Sequence, residues 1–141
     1  MSRFVVLEHD HPFVHWDFML ESGDALCTWR LLQKPIRPEQ ETEQETEQVK
    51  PSHVIRCQAE QLPDHRIAYL DYEGKISQNR GTVKRWDAGL YILLSQSKTQ
   101  WEFRLESNQL SGFASLIRKD EPQEDCSENQ VAWEFLFIPD E

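Results

Sequence analysis

The chain has 141 residues, 38% of them hydrophobic and 11% aromatic, which suffices for one core and one domain over residues 1–141. It holds 25 acidic and 15 basic residues, a net charge of −10, and five of the acids (Glu39, Glu41, Glu43, Glu45 and Glu47) lie in one low-complexity run. This balance excludes a broad basic nucleic-acid footprint. Apolar stretches only a few residues long exclude a membrane-spanning helix, so a cytoplasmic protein is expected.

Read along the chain, the pattern is that of strands. Phe4-Val5-Val6-Leu7 is a short, β-branched apolar run, residues 13–20 alternate, and 27–32 form a third segment. Residues 38–50 contain Glu-Gln-Glu-Thr twice in succession, with nothing to bury, and are expected to form a disordered acidic insert. Further strands are predicted at 54–57, 67–72, 82–86, 90–94, 101–105, 111–117 and 131–138, each rich in Val, Ile, Phe, Trp or Tyr. Turns are predicted at Leu62-Pro63-Asp64, Gln78-Asn79-Arg80-Gly81 and Asp87-Ala88-Gly89, and a polar excursion at 119–129. Many short strands about ten residues apart predict an all-β fold, a compact barrel of roughly eight strands. Cys27, Cys57 and Cys126 are odd in number, without a CxxC spacing, and are expected to be reduced thiols.

The densest polar constellation is His9-Asp10-His11-Pro12-Phe13-Val14-His15-Trp16-Asp17. In a strand, His15, Asp17 and Met19 share one face while Trp16, Phe18 and Leu20 form an apolar face turned to the core. His9 can fold back from the turn, completing a two-histidine, one-carboxylate set with the spacing His-x5-His-x-Asp. Manganese, iron(II) and zinc all accept such ligands, and no thiolate nearby selects zinc. A solvated strand face with no ligand, or an iron(II) oxygenase site on a barrel, would use the same residues. A second constellation, Asp64-His65-Arg66-Ile67-Ala68-Tyr69, places an imidazole, a guanidinium and a phenol where they can donate to phosphate oxygens. A turn followed by a strand with Tyr69 at the barrel rim is the other reading.

Together these segments resemble the 3′-phosphoesterase domain of bacterial DNA ligase D, the end-healing module of non-homologous end joining. The resemblance runs through Phe4 to Asp10, His15-Trp16-Asp17-Phe18-Met19-Leu20-Glu21, Trp29, Asp64-His65, Tyr69 and Asp71-Tyr72-Glu73-Gly74. It continues through Gly81-Thr82-Val83, Trp86-Asp87-Ala88-Gly89, Phe103-Arg104-Leu105 and Leu110-Ser111-Gly112 to the closing strand. It implies a stand-alone, manganese-dependent hydrolase on a β-barrel, with zinc or cobalt as alternative ions, acting in DNA repair in a bacterial cytoplasm. Its substrates would be DNA or RNA-tipped DNA 3′ ends. It would remove a 3′-terminal ribonucleoside and then the 3′-phosphate, with separate ligase or polymerase proteins as partners.

Carried over, His9, His15 and Asp17 would be the metal ligands, and His65 and Tyr69 the catalytic pair at the scissile phosphate. Met19 stands where the family has a phosphate-binding arginine, only eight residues precede His9, and the loop at 75–80 is short. Arg66 and Arg80 are the candidates to supply the missing charge. Met19 is expected to border the site and not the core. A relative that binds a metal, a nucleic-acid end or a repair partner without turnover is the alternative that Met19 favours.

Overall fold

The computed structural model describes residues 2–36, 54–119 and 132–140. The acidic insert, most of the excursion at 119–129 and Cys126 lie outside the described residues. The strands are β1 (Ser2–His9), β2 (His15–Ser22), β3 (Ala25–Leu31), β4 (Ile55–Arg66), β5 (Gly74–Lys75), β6 (Thr82–Gln96), β7 (Gln100–Ser107), β8 (Gly112–Arg118) and β9 (Ala132–Pro139). Their order is β1-β2-β3-β4-β9-β8-β7-β6, every pairing is antiparallel, and β6 returns to β1. That last pairing closes an eight-stranded barrel and removes its edges, which is how an all-β fold avoids open pairing. The two-residue β5 adds to the early half of β6, where β7 does not pair. Among the described residues the one helical element is a 3-10 turn, Ile67–Leu70, and no helix is long and apolar enough to cross a membrane.

Alternation decides what fills the barrel. Phe4, Val6, Phe18 and Leu20 point inward with Trp29, Leu31, Trp101, Phe103, Trp133, Phe135 and Phe137. Trp29 meets Trp101 and Trp133 edge-on, at ring separations of 5.1 and 5.6 Å, in the core cluster that also holds the small Cys57 and Ala59 of β4. Cys27 and Cys57 carry free thiols, and burial pushes that of Cys57 up to about 12, which leaves it a packing residue.

The outward face of β1–β2 is also buried. Val5, Leu7, Met19, Leu26, Leu70 and Val83 form a second cluster, with Tyr69 and Ile76 packed against it. The 3-10 turn and the segment after it cover this face. Burial on both sides is why Phe4 to Leu7 and Phe18 to Leu20 read as unbroken apolar runs instead of alternating ones.

Three expectations change. Residues 67–72 are not a strand, because the chain leaves the sheet at Arg66 and Leu70 drops into the outer cluster. The turn predicted at Leu62-Pro63-Asp64 lies inside β4, at a bulge where the β3 register shifts from Thr28↔Leu62 to Leu26↔His65. An interrupted ladder is a place that tolerates a residue without an N–H. The turn predicted at Asp87-Ala88-Gly89 lies inside the 15-residue β6, just after a bulge at Trp86 where its register against β1 shifts, and where it passes from β5 to β7. Gly89 permits the close approach of β7, since a Cβ would run into the Glu106 carbonyl oxygen and lie 2.7 Å from the Ser107 Cβ. Gly89→Ala should therefore cost about 1–3 kcal/mol, read as a lower urea midpoint at unchanged m-value. A midpoint equal to wild type would show that the β6–β7 pairing does not need the close approach.

Candidate metal centre

His9 ends β1, His15 begins β2, and the two are direct cross-strand partners, as are Leu7 and Asp17. Cross-strand partners share a face, so His9, His15 and Asp17 all stand on the outer wall of the barrel, one step beyond the second apolar cluster. The connecting loop is tied down from β6: the Thr82 N–H and hydroxyl donate to the two Asp10 carboxylate oxygens, at 2.8 and 3.1 Å. Gly81 makes room for this. Its φ is +81°, and a Cβ would collide with Asp10 and lie 2.6 Å from the His11 Cβ.

Backbone carbonyls set the direction of both rings. The His9 Nε2–H donates to the Arg80 carbonyl at 2.8 Å, and the His15 Nδ1–H donates to the Phe13 carbonyl at 2.9 Å. A carbonyl only accepts, so the proton of each neutral ring is committed there and the other nitrogen offers a lone pair. Those nitrogens face Asp17: His9 Nδ1 is 3.4 Å from Oδ2, and His15 Nε2 is 3.1 Å from Oδ1. The three ligand atoms lie within 4.8 Å of one another. The His15 and Asp17 side chains are 1% and 4% exposed, and buried Asp17 Oδ1 has no hydrogen-bond donor among the described residues. Converging lone pairs around a buried carboxylate need a cation, and carbonyl-oriented imidazoles are a recurrent outer shell of metal sites. The residues fit a divalent ion.

In the absence of such an ion, protons serve. The hydrogen bond to Asp17 raises the His9 imidazole above its ordinary value against the opposing effect of burial, with help from the Arg80 carbonyl. Burial alone would push the Asp17 carboxyl up, but hydrogen bonds and charge from His15 and His9 outweigh it and bring it to about 2.

The other predicted residues fall around this set. His65 faces Leu26 across β3–β4, and its Nδ1–H donates to the Pro63 carbonyl at 3.0 Å. Tyr69 meets the His65 ring edge-on at 5.8 Å and rests on the cluster that contains Met19. By register His65 lies level with Glu21, four residues along β2 from Asp17, roughly 13 Å. The triad and the His65–Tyr69 pair thus occupy one outer surface, on either side of Met19. Met19 shares the face of His15 and Asp17 but does not border the site as an open side chain; at 1% exposure it belongs to the outer core, because Leu70 and Val83 close over it. Arg66 lies level with Ala25 at the far end of β3. Arg80 contributes its carbonyl, while its guanidinium turns back to Ser77.

Sequence reasoning missed Arg30. It is the cross-strand partner of Asp17, its guanidinium lies over the Phe13 ring at 5.6 Å, and Phe13 in turn meets His15 at 5.6 Å. Only the pairing of β2 with β3 brings it there.

The family model of the DNA Ligase D 3′-phosphoesterase domain matches residues 7–118. The chain is 31% identical over 126 residues to the multifunctional non-homologous end joining protein LigD of Pseudomonas aeruginosa, covering 84% of this chain and 13% of that protein.

Two outcomes are expected of the metal-free protein. Asp17, with a folded value of about 2 against 3.8 unfolded, contributes stability that is present above pH 3.8 and lost as the pH falls through 2. The contribution is about 2 kcal/mol, so urea unfolding in a chelator should show wild type losing that much more than Asp17→Asn between pH 5 and pH 2. Parallel losses in the two proteins would mean that Asp17 is not held ionised. Met19→Arg should destabilise the fold by several kcal/mol, because a guanidinium is larger than the space Met19 fills in the outer apolar cluster and is desolvated there; an unchanged midpoint would show that the side chain escapes to solvent.

Proposed function

The chain belongs to the DNA Ligase D 3′-phosphoesterase domain family, and from that premise we propose that it is a metal-dependent phosphoesterase that trims DNA 3′ ends. The observation that carries this reading is the convergence of His9 Nδ1, His15 Nε2 and an Asp17 carboxylate oxygen, each turned toward the others by a partner outside the set or by its strand position. Bound by these atoms, a divalent cation would supply Lewis-acid stabilisation of phosphoryl charge and a route to a nucleophilic water. Manganese is the ion assigned here, with zinc or cobalt as alternatives that the same donors accept.

The remaining work falls to side chains. With its Nδ1–H committed to Pro63, His65 has Nε2 as the atom that moves a proton. As water adds to phosphorus and gives up a proton to solvent, the phosphorus–oxygen bond breaks and the His65 imidazolium passes its Nε2 proton to the departing sugar oxygen. The Tyr69 phenol, oriented by edge contacts with His65 and Tyr72, donates to a phosphoryl oxygen. On an RNA-tipped end the departing oxygen is that of the terminal ribonucleoside; on a 3′-phosphate it is the 3′-oxygen itself. A strand end needs only this small footprint, which suits a chain of net charge −10. Ligase or polymerase proteins would then use the resulting 3′-hydroxyl.

A second reading, a relative that binds the ion and the end without turnover, is favoured by Met19, a buried thioether in the place where the sequence resemblance implies an arginine. A primer-template ending in a 3′-phosphate or a single 3′-ribonucleotide separates the two. Manganese-dependent conversion to a 3′-hydroxyl is expected, with Asp17→Asn slower by at least about a hundredfold. Metal binding by calorimetry without any conversion would leave the binder as the correct reading.

A further inference from the structure

We infer that Arg30 is an anion-binding residue of this site and contacts the terminal phosphate on which the triad acts. The inference rests on the phosphoesterase reading for its substrate and on the β2–β3 pairing for its geometry. Arg30 and Asp17 are direct partners, so their side chains leave the sheet side by side on the outer wall, with Cβ atoms about 5 Å apart. The guanidinium is then held near the histidine end of the site. Its carbon lies 5.6 Å over the Phe13 ring, whose edge contacts His15 at 5.6 Å.

The donors of Arg30 are under-used. A guanidinium offers five N–H groups, yet its ion-pair contact is a loose one, Nη1 to Glu60 Oε1 at 3.6 Å, and its buried Nε has no acceptor among the described residues. A buried donor left without an acceptor is costly, and a planar fork with free donors matches the oxygens of a phosphate. The side chain is only 24% exposed, so a phosphate displacing the Glu60 carboxylate would meet a guanidinium already oriented and partly desolvated. Glu60, itself 38% exposed, is the occupant that a phosphate has to replace. Phe13 and Val14, each 49% exposed, form an apolar lip beside this position on which the terminal nucleoside can rest.

The test measures binding of the full chain, loaded with manganese, to two oligonucleotides of the same sequence, one ending in a non-hydrolysable 3′-methylenephosphonate and one in a 3′-hydroxyl. Wild type should prefer the phosphonate. Arg30→Gln should reduce that preference about ten- to a hundredfold, and Arg30→Lys should restore only part of it, since an ammonium is a point charge. Glu60→Gln, which leaves the arginine in place and removes its competitor, should raise phosphonate affinity a few-fold. Manganese affinity should stay within about twofold of wild type in all three variants, which a merely structural role for Arg30 would not combine with the Glu60→Gln gain. A wild type without preference, an Arg30→Gln that keeps it, or a Glu60→Gln that weakens it overturns the inference. Because binding is read without turnover, an inactive wild type with an Arg30-dependent preference would sink the phosphoesterase reading and leave this assignment standing.

Discussion

The Asp17 carboxylate lies 4% exposed between nitrogens of two imidazole rings whose protons are committed through the other nitrogen, one to the Arg80 carbonyl and one to the Phe13 carbonyl. With both rings neutral and Asp17 ionised, the three groups turn lone pairs on one another; a cation or added protons must reconcile them. Holding so unfavourable an arrangement needs rigid support, and the β1–β2 hairpin provides it. The hairpin is buried inward by the aromatic barrel core and outward by the Leu70 and Val83 cluster, so neither strand can rotate its side chains away. Asp10, bonded to Thr82, and Gly81, which leaves room for it, fasten the remaining open end.

This arrangement places a localised positive demand on a chain whose overall charge is negative. A field of that sign does not draw a polyanion from a distance. What the outer wall offers is short-range: the triad, an arginine in register beside its carboxylate, and the His65–Tyr69 pair beyond Met19. The apolar cluster between these groups sets their separation and excludes water beneath them. A low-dielectric floor strengthens each charge–charge contact made above it.

Much of this was legible in the residues themselves. Strand parity alone assigns His15 and Asp17 to one face and Phe18 and Leu20 to the other, and the His-x5-His-x-Asp spacing places His9 within reach. The match of motifs in order along the chain identifies the family. Less legible was Met19, whose parity is right but whose environment depends on Leu70 and Val83, more than fifty positions away. Pro63 and Gly89 misled for a related reason: each is a turn residue by local preference, and each sits inside a strand, Pro63 at a bulge and Gly89 where β7 approaches too closely for a Cβ.

By itself, then, the sequence determined the period of its strands, the face on which each side chain falls and the identity of the three converging side chains, because these depend on neighbours a few positions apart. The tertiary structure alone decided that the site lies on the outer wall, that a carbonyl of Arg80 and not its guanidinium serves it, and that Arg30 stands beside Asp17. Alternation says which residues share a face, but not which strand pairs with which, nor what covers the face from outside. Those choices are made by the free energy of closing the barrel and burying both sides of one hairpin.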